Sequence, residues 1–140
     1  MTRDEVTDVV AGWQQALARH DLDAVGQYYA EHAEVDSPLG GSVVGREAVR
    51  SVFEAFFLAF PNASFDFEPP LVDDNRVAMT ATISGSQLGP FMGLPASGRA
   101  FRFTIVCLFD IADGLIARER RVYDFTSLLI QLGTLKARPA

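Results

Sequence analysis

The sequence predicts an α+β domain, with helices laid on one face of a curved, mostly antiparallel sheet. Three observations carry this. Apolar residues recur at helical spacing as far as Pro61 and alternate at a spacing of two beyond it. Helix-capping and hairpin-turn residues fall at the joints between these segments. The chain also holds eleven phenylalanines in 140 residues, so much of its buried area comes from rings, in a core, an apolar cavity or both. Helices first and strands afterwards is the α+β order.

Each element follows from local pattern. Thr2 with Glu5 three residues on forms a capping box, and Val6, Val9, Val10, Trp13, Ala16 and Leu17 line one face of a first helix. Asp21 caps a shorter second helix carrying Leu22, Val25, Tyr28 and Tyr29. Residues 36–41, Asp-Ser-Pro-Leu-Gly-Gly, read as a turn or loop. A third helix follows Gly45, with Val49, Val52, Phe53, Phe56, Phe57 and Phe60 on a broad stripe, and Pro61 ends it. Beyond it, Phe65 and Phe67, then Val77 to Ile83, then Phe101 to Ile111 alternate as strands. Asp73-Asp74-Asn75 and Asp113-Gly114 mark hairpins. A last strand runs to about Asp124, and a short helix around Leu128 to Leu132 closes at Gly133. Residues 1–140 read as one domain, without repeats or a linker. The one long irregular stretch, residues 85–98, suits a lid, a subunit contact or an ordinary connection.

Composition excludes several functions. The formal charge is −6, against the basic face that nucleic acid or an anionic membrane surface requires. Cys107 is the single cysteine, so an intrachain disulfide is excluded, and its apolar strand marks it as a buried thiol. No basic region precedes an apolar run at the N-terminus and no apolar stretch reaches membrane-spanning length, so a cytoplasmic protein is expected. Two histidines far apart, without a cysteine cluster, offer no metal site; His20 and His32 read as surface or helix-end residues. A phosphate-binding glycine loop and a nucleophile motif are both lacking. Trp13, Tyr28, Phe53, Phe57, Phe91, Met92 and Phe103 are the candidate lining of a pocket for a small hydrophobic molecule, set against simple core packing. A two-fold homodimer is the default assembly.

Several segments together resemble the nuclear transport factor 2-like superfamily: His20-Asp21-Leu22-Asp23-Ala24, residues 28–45, and the order of helices and strands. Within it, the second half resembles the SnoaL-like polyketide cyclases, through residues 89–99 (GPFMGLPASGR), Asp113-Gly114-Leu115-Ile116, Tyr123-Asp124-Phe125 and Leu129-Ile130-Gln131-Leu132-Gly133. The resemblance covers nearly the whole chain. It implies a cone with the helices in the concave face of the sheet, around one interior pocket. It also implies acid/base chemistry without a cofactor: an aldol-type cyclisation or isomerisation of an oxygenated hydrophobic substrate such as a polyketide. The fold also hosts non-catalytic ligand-binding and accessory domains, so the chemistry rests on the site.

Two aspartates are the candidate catalytic groups. Asp124, in its Tyr-Asp context, matches the general acid/base of SnoaL-like cyclases; a helix-capping role is the alternative. Asp36 lies in a segment similar to that of ketosteroid isomerases, but Ser37 stands directly before Pro38, and a one-residue shift turns a strand side chain to the other face. On the last strand Arg118, Arg120, Val122 and Asp124 share one face, and Glu119, Arg121 and Tyr123 share the other. An outward Arg118 is expected, which conflicts with an inward Asp124 unless a bulge intervenes.

Overall fold

The computed structural model describes residues 1–136. Helix α1 spans Arg3–Ala18 and α2 spans Leu22–Gln27, followed by strands β1 (Tyr29–Ser37) and β2 (Gly41–Val44). Helix α3 covers Arg46–Ala59. Then come β3 (Ser64–Phe67), β4 (Leu71–Asp73), β5 (Arg76–Ser86), β6 (Ala100–Ala112), β7 (Leu115–Val122) and α4 (Phe125–Gln131). The sheet has seven strands in the order β2-β1-β7-β6-β5-β3, with β4 also pairing β5. All pairs are antiparallel except β1 with β7.

The caps form as the sequence requires. Thr2 and Glu5 make the full capping box on α1, and Asp21 accepts from the Ala24 N–H to start α2. Asp113 and Gly114 adopt φ of 52° and 79°, which gives the β6–β7 turn its left-handed pair. Strands β5 and β6 alternate as expected: Val77, Met79, Ala81 and Ile83 are buried opposite Phe109, Cys107, Ile105 and Phe103.

Residues 28–44 differ from the expectation. Tyr29 does not end α2; it opens β1, and the turn expected over 36–41 shrinks to the tip of the β1–β2 hairpin. Ala33 and Val35 face the core while Glu34 faces solvent, but residues 30–32 break the alternation where the pairing with β7 shifts register. That break hides the strand from a period-two reading.

A second irregularity sets the site. On β7, Ile116 pairs Ile111 and the next pair is Arg118 with Asp110, so Ala117 is an extra residue bulged from the ladder. Without it, the inward face of Ile116 would continue through Arg118 and Arg120. With it, Glu119 and Arg121 turn inward, and Arg118, Arg120 and Val122 turn out.

The stretch after β5 is tied down rather than open. Gln87 is buried; its amide donates to the Gly89 and Pro95 carbonyls and accepts from Ser97. Phe91 is buried against Phe60, and the Leu88 and Gly89 N–H groups both reach the Ala59 carbonyl at the end of α3. A Cβ on Gly89 would lie 2.0 Å from the Leu58 carbonyl oxygen, which is backbone and cannot yield. Gly89→Ala is therefore expected to lower unfolding free energy by about 1–3 kcal/mol in denaturant titrations. Gly26→Ala, in α2 with nothing near its Cβ, is expected to be neutral or stabilising by up to about 1 kcal/mol.

Candidate active site

Between the helices and the concave face of the sheet lies an apolar pocket with an open mouth. Helices α1 and α3 supply Trp13, Leu17, Val52, Phe53 and Phe56. The sheet supplies Phe65, Phe67, Phe103, Ile105 and Cys107, with Glu119, Arg121 and Tyr123 at a polar end. Ser37 and Leu39, from the β1–β2 tip, complete the wall.

The polar end is one connected cluster. Glu119 is fully buried, and among the described residues it is the one acidic or basic residue in that class. Its Oε2 accepts from Arg121 Nε at 2.8 Å, and its Oε1 accepts from Arg121 Nη2 at 3.1 Å and from the Tyr29 hydroxyl at 2.5 Å. The Tyr29 oxygen in turn accepts from Trp13 Nε1 at 3.1 Å and from Arg121 Nη2 at 3.3 Å. The Arg121 guanidinium also lies 4.4 Å over the Phe53 ring, a cation–π contact. Nη1 of Arg121 has no hydrogen-bond partner among the described residues. Among the described residues every fully buried polar side-chain atom does have one, so Nη1 is not fully buried. Arg121 thus lines an aromatic-walled pocket and keeps one guanidinium amino group without a partner among the described residues.

Burial and the network set the protonation states. Burial pushes the Tyr29 hydroxyl well above its usual value, and the neighbouring Glu119 carboxylate pushes it further. Burial also raises Cys107, with Glu119 adding to it, so this thiol stays protonated. For Arg121 burial acts downward, but Glu119 and Tyr29 outweigh it and the guanidinium keeps its charge. Tyr123 is raised by burial, partly offset by Arg121 and by a backbone hydrogen bond from Leu39.

The two aspartates expected to be catalytic are not in this cluster. Asp124 is exposed, and its carboxylate accepts from the Ser127 N–H at 2.9 Å as the N-cap of α4. It lies on the outward parity of β7, and the bulge that could have turned it inward acts earlier, in favour of Glu119. Asp36 is half-buried on the outer face, opposite Ser42 and Arg120, while Ser37 beside it reaches the pocket. Of the expected lining residues, Trp13, Phe53 and Phe103 do line the pocket. The others sit elsewhere: Tyr28 rests its hydroxyl on Gly12, Phe57 stacks on His20, Phe91 packs on Phe60, and Met92 is exposed. The signal for Glu119 and Arg121 was their shared parity with the aromatic Tyr123.

A curved, mostly antiparallel sheet closed by helices around such a pocket is the nuclear transport factor 2-like fold. The family model of the SnoaL-like polyketide cyclases matches residues 7–132, and the chain belongs to that family. AclR from Streptomyces galilaeus superposes with a TM-score of 0.85 at 22% identity, covering 99% of this chain and 87% of its own. TsrD from Streptomyces laurentii gives 0.83 at 26% identity, covering 96% and 99%. IdmH from Streptomyces antibioticus, provisionally described as a polyketide cyclase, gives 0.77 at 25% identity, covering 91% and 98%. A comparison with curated proteins finds no match. No helix among the described residues is long and apolar enough to cross a membrane.

Two expectations follow from this placement. Asp124→Ala should destabilise the fold by about 1 kcal/mol, the usual value of an N-cap, and leave ligand binding in the pocket intact, read by the emission of Trp13, the single tryptophan. Alkaline stability carries a second signature. Tyr29, Tyr123 and Cys107 hold their protons more tightly folded than unfolded. Once pH passes the unfolded values, about 8.5 for Cys and about 10 for Tyr, the unfolded chain binds fewer protons and stability falls with further rise. Denaturant midpoints measured across this range should decline, and ultraviolet titration should show Tyr29 ionising only together with unfolding.

Proposed function

We propose that this pocket enolises a small hydrophobic carbonyl compound, the step shared by aldol-type cyclisation and isomerisation of substrates such as polyketides. The observation that carries this is the open Nη1 of Arg121 beside a buried carboxylate at the end of an apolar pocket. A substrate carbonyl oxygen accepts from Nη1, which draws electron density from the adjacent carbon and favours loss of its proton. Glu119 takes that proton, and the electron pair moves into the enolate, whose oxygen the guanidinium holds. In a cyclisation the enolate carbon then bonds to a second carbonyl carbon, and the new alkoxide recovers the proton from Glu119. Tyr123, kept neutral by burial, donates a hydrogen bond at the same end of the pocket.

One observation favours a second reading, a ligand-binding domain without turnover. Three N–H or O–H donors already occupy Glu119, two of them from Arg121. The carboxylate serves as a base only if a substrate oxygen draws Arg121 away from it. Proton–deuterium exchange at the methyl group of 2-acetylnaphthalene, followed by NMR in D₂O, separates the readings. Catalysis requires exchange above buffer that Glu119→Gln and Arg121→Met each reduce by about 10²-fold or more and that Asp124→Asn leaves unchanged. Ketone bound without enhanced exchange means the second reading holds. In either case we assign the outer sheet face, where Leu108 and Val122 stay exposed beside Arg118 and Arg120, as the contact of a homodimer; a monomer in sedimentation velocity would reject this.

A further inference from the structure

The charge balance of the polar end restricts which oxygen it accepts. Glu119 holds Arg121 by two hydrogen bonds along one edge of the guanidinium, so the cation meets its counter-charge inside the protein. Among the described residues no other acidic or basic side chain lines the pocket. A ligand oxygen arriving at Nη1 therefore meets a dipole and not a net positive charge. A carboxylate there would lose its hydration in a pocket walled by rings and gain only the attraction of that dipole, with Glu119 opposing it. A neutral carbonyl gives up far less hydration and still receives the open N–H.

The wall composition adds a shape requirement. Phe65 and Phe67 are stacked at an interplanar angle of 6° with centroids 5.8 Å apart. Phe103 and Tyr123 lie at 31° and 5.0 Å. Both pairs line the pocket, and flat rings on its walls favour a flat ligand.

We infer that Glu119 is a specificity-determining residue, which makes the pocket select planar, neutral carbonyl compounds and reject the corresponding carboxylates. This rests on the proposed carbonyl site at Arg121 but not on turnover there. The matched probes are 2-acetylnaphthalene and 2-naphthoate, alike in size and plane and different in charge. Each is titrated into the whole protein at pH 7, with calorimetry and Trp13 emission as readouts. The ketone should bind about tenfold tighter or more. In Glu119→Gln, Arg121 keeps its charge without a counter-ion, and the order should invert in favour of naphthoate. Naphthoate binding the wild type as tightly as the ketone overturns the inference while leaving the pocket reading intact. Failure of both probes to bind overturns both. The wild-type comparison is decisive alone if Glu119→Gln does not fold. Where it folds, an unchanged ketone preference in that variant also overturns the role of Glu119.

Discussion

A carboxylate with no exposed surface must be matched where it sits, and that requirement organises the interior of this protein. Glu119 is buried in a region otherwise built of aromatic and aliphatic side chains. Leaving such a charge unpaired would be prohibitive, and pairing it with Arg121 about breaks even against an apolar replacement. The pair is therefore weak evidence for stability. Its upkeep draws in Tyr29 from β1 and Trp13 from α1, so that helix, edge hairpin and central strand meet at one hydroxyl oxygen. A structure that commits this many polar groups to one buried point gains a fixed geometry for the guanidinium.

The bulge at Ala117 is what brings the pair inside. Strand β7 carries charged residues on both of its faces, Arg118 and Arg120 on one and Glu119 and Arg121 on the other. The inward choice of Ile116, made by the core, would bury Arg118 and Arg120, whose one carboxylate of the same parity, Asp124, lies beyond the end of the strand. One extra residue exchanges that set for a self-neutralising pair. The β1–β7 pairing shifts register over the same stretch, between its contacts at Ile116 and Arg118. Both neighbours of β7 thus adapt to the same inserted residue.

This is also where sequence reasoning reached its limit. Helices α1, α2 and α3, the long β5–β6 hairpin and the cap of α4 are each written in local pattern, and the family resemblance rests on them. Asp36 was kept as a candidate although its one-residue offset from Pro38 was visible in the sequence; it lies on the outer face, and Ser37 beside it reaches the pocket. Tyr29 was misplaced because β1 lacks clean alternation and its first residue is as apolar as a helix end would be. Asp124 was chosen for its match to the aspartate of SnoaL-like cyclases, and Glu119 was not a candidate, because parity along β7 depends on a bulge that is decided by pairing with two other strands and leaves no local signal. The conflict between an outward Arg118 and an inward Asp124 was legible; its resolution in favour of Glu119 was not.

The segments that carry the family resemblance turn out to hold joints of the fold. Asp113-Gly114 makes the β6–β7 turn, and Asp124 starts α4. Gln131 accepts from the Arg102 N–H at 2.7 Å and donates to the Arg102 carbonyl at 2.9 Å, which closes the stretch of β6 that β7 does not reach. Gly133, at φ 77°, ends α4 where a side chain would strike the Arg99 guanidinium. Gly89 passes under the end of α3 with no room for a Cβ. These residues preserve the cone, whatever the pocket contains. Of the polar groups facing the pocket, Trp13, Glu119 and Arg121 lie outside those segments, and Ser37 and Tyr123 lie within them. Membership in the family thus follows from the joints, whereas the chemistry rests on which polar groups the bulge and the first helix turn inward.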